Sequence, residues 1–179
     1  GAVGSALDVG AGTGLLTLEL APAARAVTAY DVSTGMLDIL RAKADAEQVP
    51  VTTTTSLEAT GRFDLIFSML ALHHIPDAGG TVQRLLAHHL NPGGRLLIVD
   101  LLRTENVRRF HKASEKLGEH YEHDGFPAEE VESWFASCDG FDWAELQERK
   151  RLAEDWRDEG FTHEEEDYTL FLASGSVRP

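Results

Sequence analysis

The hydrophobic positions of this chain form short continuous runs, separated by segments in which apolar residues follow a helical spacing. Short runs rich in β-branched and apolar residues are typical of buried strands. We predict strands over residues 6–9, 26–30, 51–55, 95–102, 141–146 and 168–173, and one more that begins at Leu65. Helices are predicted from the end of a glycine-rich turn to Pro22, between Ser33 and Val49, and over 81–90, 104–121 and 128–138. This alternation predicts a doubly wound α/β sheet that binds its ligand beyond the carboxyl ends of the strands.

Three glycines at alternate positions, Gly10, Gly12 and Gly14, follow the first predicted strand and open into a helix. Glycines let a ligand approach the main chain, and the helix that follows directs free N–H groups at that ligand. Leu15 stands where the dinucleotide motif G-x-G-x-x-G would have its third glycine. The residues alone leave two interpretations, a ligand-binding loop and a glycine turn without a ligand.

An acidic residue, Asp31, ends the second predicted strand. An acid in this position of a βαβ unit is placed to accept hydrogen bonds from both ribose hydroxyls of a nucleotide. Nicotinamide enzymes share this feature, so Asp31 by itself does not distinguish between cofactors.

Four phrases of the sequence, in this order, resemble motifs of the class I S-adenosylmethionine (SAM)-dependent methyltransferases. Residues 8–14 resemble the motif acid-x-G-x-G-x-G, and residues 31–37 resemble D-x-S-x-x-M-L. Residues 63–77 resemble the phrase F-D-x-x-x-S-x-x-x-L-H-H-(I/V)-x-D of the ubiquinone-biosynthesis-like methyltransferases and their small-molecule relatives. Residues 90–96 resemble L-(K/N)-P-G-G-x-(L/F), which precedes the fifth strand of the family.

The resemblance implies a Rossmann-like, seven-stranded sheet, mostly parallel with an antiparallel edge hairpin strand, in one domain over residues 1–179. It implies that the glycine loop lies along the amino-acid part of SAM and that Met36 packs on the adenine, although Met36 also fits a core position at helical spacing. The family's usual acid after the third strand is missing, unless Glu58 or the Ser56 hydroxyl replaces it. The residues implied to contact SAM are Asp8, Gly10, Ala11, Gly12, Gly14, Asp31, Val32, Met36, Ser56, Leu57, Ser68, Met69 and Leu70.

Two histidines are candidate bases for an acceptor that carries a hydroxyl or a phenol. His73, the first candidate, follows the strand that the resemblance places beside the sulfonium, and histidine side chains suit proton transfer near neutral pH. His123 lies in a His-Asp-Gly-Phe phrase that resembles the loop on the substrate side of related enzymes. The alternative is that these histidines only hold loops by hydrogen bonds. We predict no metal site, because no set of two histidines and an acid has the spacing of zinc ligands.

The composition limits the classes of molecule that the chain is expected to bind. The formal net charge is −14, from 16 basic and 30 acidic residues, which disfavours nucleic acid and anionic membranes and leaves a small molecule as the expected substrate. No apolar run is long enough to cross a bilayer. A single cysteine excludes an internal disulfide and suggests a reducing, cytoplasmic setting. The sequence does not indicate an oligomeric state.

Three hypotheses remain at this point. The first is a SAM-dependent methyltransferase that acts on a small molecule. The second is a non-catalytic SAM-fold module or partner subunit, because only seven residues precede Asp8 and the family's N-terminal cover helices are expected to be absent. The third, opposed by Leu15, is a nicotinamide-dependent oxidoreductase.

Overall fold

A computed structural model describes residues 3–104, 121–151 and 165–178 of the chain. Its strands are β1 (Val3–Val9), β2 (Ala24–Tyr30), β3 (Val51–Thr54), β4 (Phe63–Met69), β5 (Leu90–Leu101), β6 (Phe141–Arg151) and β7 (Glu165–Ser176). Its α-helices are α1 (Leu15–Leu20), α2 (Thr34–Glu47), α3 (Ala78–Arg84) and α4 (Ala128–Trp134). All seven predicted strands are thereby confirmed, whereas the helix predicted over 104–121 lies almost wholly outside the described residues. Within the described ranges, no helix has both the length and the apolar character needed to cross a membrane.

The strands form one seven-stranded sheet in the order β3-β2-β1-β4-β5-β7-β6. The pairs from β3 to β5 are parallel, while β7 runs antiparallel to both β5 and β6. The predicted mostly parallel sheet with an antiparallel hairpin strand is confirmed, and β7 lies between β5 and the edge strand β6. Strand order reverses between β1 and β4, so a crevice is expected where the carboxyl ends of these two strands meet.

Helices cover both faces of the sheet. Strand β1 shows how alternate residues of one strand pack against the helices on opposite faces. Ala6 and Leu7 are both buried, but they belong to separate core clusters because successive side chains of a strand point to opposite faces. Leu7 belongs to the larger cluster with Val82 of α3 and Val131 of α4. Ala6 belongs to the cluster against which Leu16 of α1 packs. A strand buried on both faces reads as a continuous apolar run, which is why the central strands could be predicted.

The structure differs from the prediction of one helix over 81–90, because this region contains an α-helix, a π-helical turn and the first residue of β5. Helix α3 starts earlier, at Ala78, because the Asp77 side chain caps it and accepts a hydrogen bond from the Gly80 N–H at 3.0 Å. A π-helical turn over Leu85–His89 follows α3, and β5 begins directly afterwards, at Leu90 rather than Arg95. The Arg62 guanidinium closes this turn by donating to the carbonyl oxygens of Leu90 and Ala87, at 2.6 and 2.8 Å. This contact joins distant parts of the chain, so local periodicity could not reveal it.

Candidate functional site

The glycine loop runs from the end of β1 to the start of α1, and its glycines have backbone angles that favour glycine. The φ angles of Gly10, Gly12 and Gly14 are 77°, 53° and 84°. The N–H groups of Gly10 and Ala11 both donate to the carbonyl oxygen of Tyr30, at 2.9 and 3.0 Å. These bonds join the loop to the end of β2, so the loop is shaped by the sheet on which it rests.

Space around the three glycines differs sharply. A Cβ atom on Gly10 would lie 2.2 Å from the Cβ of Ala71, and one on Gly14 would lie 2.6 Å from Cγ of Leu40. A Cβ on Gly12 would meet no atom within 4 Å. Gly10 and Gly14 are therefore glycines because the protein packs against them, whereas Gly12 faces open space.

Asp31 lies at the end of β2, beside this open space. One carboxylate oxygen accepts a hydrogen bond from the Gly12 N–H at 2.8 Å, and the other accepts one from the Ser33 N–H at 2.8 Å. Two bonds to the main chain fix the orientation of the carboxylate, and each of its oxygens retains a further lone pair. The predicted nucleotide-binding acid and the predicted glycine loop thus lie in direct contact.

Large apolar side chains are exposed beside Asp31. Val32 is 79% exposed and Met36, in the first turn of α2, is 43% exposed. The same helix buries Leu37 and Leu40 completely. Met36 therefore lies outside the core of α2, although its spacing also fitted a core position. An apolar, planar group that covered Val32 and Met36 would remove their surface from water.

The segment after β3 carries a polar pair in place of the family's usual acid. The Ser56 hydroxyl donates to a carboxylate oxygen of Glu58 at 3.2 Å. A hydrogen bond from its own main chain and this bond from Ser56 lower the pKa of Glu58. Leu57, between them, is buried. The pair offers a fixed, ionised acceptor at the end of the third strand.

The carboxyl end of β4 reaches the crevice next to the glycine loop. Ser68 is buried, and its hydroxyl donates to the Val9 carbonyl oxygen at 2.8 Å, which joins the ends of β1 and β4. Met69 is 36% exposed. Leu70 has a φ of 52°, a left-handed conformation that costs a leucine energy, and its N–H donates to the Val99 carbonyl oxygen at 2.9 Å. The chain therefore turns sharply where strand order reverses.

His73 is buried under this turn and pairs with Asp100 at the end of β5. Its Nδ1 lies 2.7 Å from Oδ1 of Asp100, and the side chains of the two residues are 3% and 0% exposed. The other carboxylate oxygen of Asp100 accepts from the main-chain N–H groups of Leu72 and His73, at 2.9 and 3.3 Å. The pair ties the loop after β4 to β5.

His123 lies against the same loop. Its Nε2 is 3.0 Å from the carbonyl oxygen of Ile75, so Nε2 carries the proton and donates it. Its main-chain N–H donates to the His73 carbonyl oxygen at 3.0 Å. These contacts match the alternative in which both histidines hold loops; a role in catalysis for either one stays a prediction.

Asp8 is buried beneath the glycine loop, with 2% of its surface exposed. The Thr17 hydroxyl of α1 donates to Oδ2 of Asp8 at 2.5 Å. Burial raises the pKa of Asp8 to about 7; the negative charge of Asp31 adds to this increase, and the bond from Thr17 opposes it.

Comparison with known proteins identifies the family. A family model described as a methyltransferase domain matches residues 6–94, which include the glycine loop, Asp31 and β4. The ubiquinone biosynthesis O-methyltransferase of Xanthomonas oryzae pv. oryzae is 35% identical over 104 residues, and the match covers 55% of this chain and 43% of that protein. The uncharacterized protein YafE of Escherichia coli is 37% identical over 83 residues, covering 43% of this chain and 40% of YafE. The chain belongs to the class I SAM-dependent methyltransferases.

Solved structures show the same fold over nearly the whole methyltransferase chain. The YcgJ protein of Bacillus subtilis superposes with a TM-score of 0.77 at 19% identity, covering 98% of this chain and 92% of YcgJ. The magnesium protoporphyrin IX methyltransferase ChlM of Synechocystis, whose structure holds S-adenosylhomocysteine (SAH), gives a TM-score of 0.67 at 18% identity, covering 99% of this chain and 75% of ChlM. The chain spans less than half the length of the two curated relatives named above.

The structure brings most of the predicted SAM contacts to one edge of the methyltransferase sheet. Ser68 and Asp8 are buried behind this edge rather than exposed on it. Sequence reasoning did not single out Thr17 or Asp100, the partners of Asp8 and His73. Asp100 directly follows the apolar run of β5, so an acid at the end of a central strand was the available signal.

Proposed function

We propose that this domain binds SAM at the carboxyl edge of β1, β2 and β4 and transfers its methyl group to a small-molecule acceptor. The observation that carries the proposal is the junction of Gly12 and Asp31. There a glycine faces open space and its N–H fixes a carboxylate at 2.8 Å, with exposed Val32 next to it. A nucleoside fits this chemistry because it presents hydroxyl donors to the carboxylate and an apolar ring to the valine.

Different residues would bind different parts of the SAM molecule. The Asp31 carboxylate accepts hydrogen bonds from the ribose hydroxyls with its remaining lone pairs. Val32 and Met36 cover the adenine, and Glu58, oriented by Ser56, accepts a hydrogen bond from the adenine amino group. The Glu58 carboxylate would thus replace the acid that the sequence lacks after β3.

When bound, SAM supplies a methyl group that is already activated on a sulfonium, so the protein mainly orients the acceptor and excludes water. For a hydroxyl or phenol acceptor, a base has to remove one proton. His123 is the better candidate base, since its side chain is partly exposed while His73 is 2% exposed. His73, through Asp100, holds the loop on which His123 rests.

The acceptor is proposed to be neutral or cationic, because the chain carries a formal charge of −14 and would repel anions. Hydroxyl and phenol compounds are the first to screen, since several relatives are named O-methyltransferases. A cytoplasmic location is also proposed, because the chain has only one cysteine.

Calorimetric titration with SAM, SAH and NADH tests the proposal. We expect micromolar binding of SAM and SAH, no comparable binding of NADH, and loss of SAM binding in Asp31→Ala. The matched control is Asp142→Ala, which removes a carboxylate on the distant edge strand β6 and should bind SAM normally. Absence of SAM and SAH binding by the wild-type chain would contradict the proposal and favour the non-catalytic module. Tight NADH binding without SAM binding would instead favour an oxidoreductase.

A further inference from the structure

The chain contains two methionines, Met36 and Met69, and both are exposed beside the proposed SAM site. Met36 is 43% exposed and Met69 is 36% exposed, although methionine is more often a core residue. The methionine thioether is soft and polarisable, and oxidation converts it into a polar sulfoxide. Both residues are therefore accessible to a small oxidant at the same site.

Met36 is held beside Asp31 by two hydrogen bonds in series. The Ser33 N–H donates to Oδ1 of Asp31 at 2.8 Å, and the Ser33 hydroxyl oxygen accepts from the Met36 N–H at 3.3 Å. This cap fixes the first turn of α2, which buries Leu37 and leaves Met36 exposed. Met36 thus borders the place proposed for the adenine.

Met69 borders the glycine loop at the end of β4. In the register of β1 and β4, Asp8 lies beside Phe67, so Met69 comes level with Gly10 at the start of the loop. The preceding residue, Ser68, is buried, and successive side chains of a strand point to opposite faces. A change in the polarity of Met69 would therefore alter the surface next to the loop.

We propose that Met36 and Met69 are modification sites, at which oxidation by a peroxide lowers the affinity of the domain for SAM. The inference rests on the proposed function, since it requires that SAM covers these residues. The sulfur lone pair attacks one peroxide oxygen and the O–O bond breaks. The leaving hydroxide takes the proton of the transferred oxygen and becomes water. Sulfur is oxidised by two electrons to a sulfoxide, and the peroxide is reduced.

A sulfoxide at Met36 loses hydration when the adenine covers it. Burial of a polar group without a hydrogen-bond partner is unfavourable enough to weaken SAM binding about tenfold or more. Bound SAM, in turn, should shield both thioethers. Its own sulfur is a sulfonium, whose positive charge makes it a poor nucleophile towards peroxide, whereas SAH carries an oxidisable thioether. Occupied sites are therefore protected, and empty sites lose affinity.

Protection is measured by treating the wild-type chain with hydrogen peroxide in the presence and absence of SAM. Proteolysis and mass spectrometry then give the oxidation rate of each methionine. We expect saturating SAM to slow oxidation of both residues at least about fivefold, because only empty sites react. A free methionine-containing peptide in the same reaction controls for any effect of SAM on the peroxide. An oxidation rate that SAM leaves unchanged at either residue would overturn the assignment of that residue.

Calorimetry then compares the oxidised with the untreated chain, after catalase has removed the peroxide. SAM affinity should fall about tenfold or more. The urea midpoint should stay the same, because both side chains are exposed. Unfolding of the oxidised chain would overturn the inference.

Reversal of the oxidation distinguishes the methionines from Cys138, the one cysteine of the chain. Burial raises the pKa of the Cys138 thiol, which leaves less of the reactive thiolate. Dithiothreitol, which reduces oxidised thiols, should not restore SAM binding. Methionine sulfoxide reductases, one for each sulfoxide epimer, should restore it. Recovery with dithiothreitol alone would overturn the inference.

Leucine variants assign the effect to each methionine. Met36→Leu and Met69→Leu keep an apolar side chain that peroxide does not oxidise, and each is compared with its own untreated form. The double variant should bind SAM equally before and after peroxide treatment. Met36→Gln should bind SAM more weakly than Met36→Leu, because its amide resembles the sulfoxide in polarity. If the untreated wild type binds no SAM, the proposed function fails; if it binds SAM but oxidation of both methionines leaves the affinity unchanged, only this inference fails.

Discussion

Gly10 and Gly12 provide a test of the site. Alanine at either position would have an unfavourable positive φ angle, but only at Gly10 would its Cβ also clash with another side chain. Both residues have positive φ angles, 77° and 53°, and a left-handed alanine costs about 1–2 kcal/mol. The entropy that alanine removes from the unfolded chain is the same at both positions and cancels in the comparison. What remains is the space into which each Cβ would project.

The structure predicts a large difference in folding stability between the two variants. The Cβ of Gly10→Ala would lie 2.2 Å from the Cβ of Ala71, and this overpacking adds about 1–3 kcal/mol. The total cost for Gly10→Ala is then about 2–5 kcal/mol, against about 1–2 kcal/mol for Gly12→Ala, whose Cβ meets no atom within 4 Å. Urea unfolding, followed by the change in midpoint at constant m-value, measures both costs.

A double variant isolates the contact. Ala71→Gly in the Gly10→Ala background removes the opposing Cβ, so it should restore the overpacking part, about 1–3 kcal/mol, and leave the backbone cost. Equal destabilisation by Gly10→Ala and Gly12→Ala, or purely additive effects of Gly10→Ala and Ala71→Gly, would refute the proposed packing of the glycine loop on the loop after β4.

The same pair separates folding from binding. Gly12→Ala should remain folded and yet bind SAM at least about tenfold more weakly, because its methyl group occupies the space proposed for the ligand. Normal SAM affinity in folded Gly12→Ala would show that the ligand does not approach the loop at this position.

Two further predictions concern buried carboxyl groups. Burial raises the pKa of Asp8 from 3.8 to about 7, so its contribution to stability is present below about pH 3.8 and is lost as the pH rises through 7. Relative to Asp8→Asn, the wild type should therefore lose about 3 kcal/mol between about pH 5 and about pH 8 in urea unfolding, and parallel pH profiles would contradict this. Asp100→Asn replaces one carboxylate oxygen by an amide donor, which would face either the Leu72 N–H, which now donates to Oδ2 at 2.9 Å, or the Leu101 N–H, which now donates to Oδ1 at 2.8 Å. Either orientation should cost about 2–4 kcal/mol. The exposed control Asp142→Asn should change stability by less than about 0.5 kcal/mol, and equal stability of the two variants would rule out a structural role for Asp100.

Local features were predictable because their physical cause lies within a few residues. Positive φ angles at Gly10, Gly12 and Gly14 follow from a turn between a strand and a helix. A helix was predicted to begin after Ser33, and the Ser33 side chain caps α2 by accepting a hydrogen bond from the Met36 N–H, at 3.3 Å. Central strands that are buried on both faces can be recognised in the sequence as continuous apolar runs.

Boundaries that depend on distant contacts could not be predicted in the same way. The helix expected over 81–90 changes from an α-helix to a π-helical turn after Arg84, where Arg62 binds the carbonyl oxygens of Ala87 and Leu90. Strand β5 begins at Leu90 because it pairs there with Phe63 of β4. Such contacts depend on strand order and register, which cannot be inferred from any single segment of the sequence.

Hydrophobic periodicity and residue types at short spacings are local properties, and they were enough to predict the class of fold and the order of the motifs around the proposed SAM site. The resemblance of those motifs predicted the family. The environment of each acid depends instead on tertiary contacts: Gly12 donates to Asp31, His73 pairs with Asp100, and Thr17 donates to the buried Asp8. The charge of a carboxyl group depends on its burial and its partners, and folding brings those partners together from separate strands and helices.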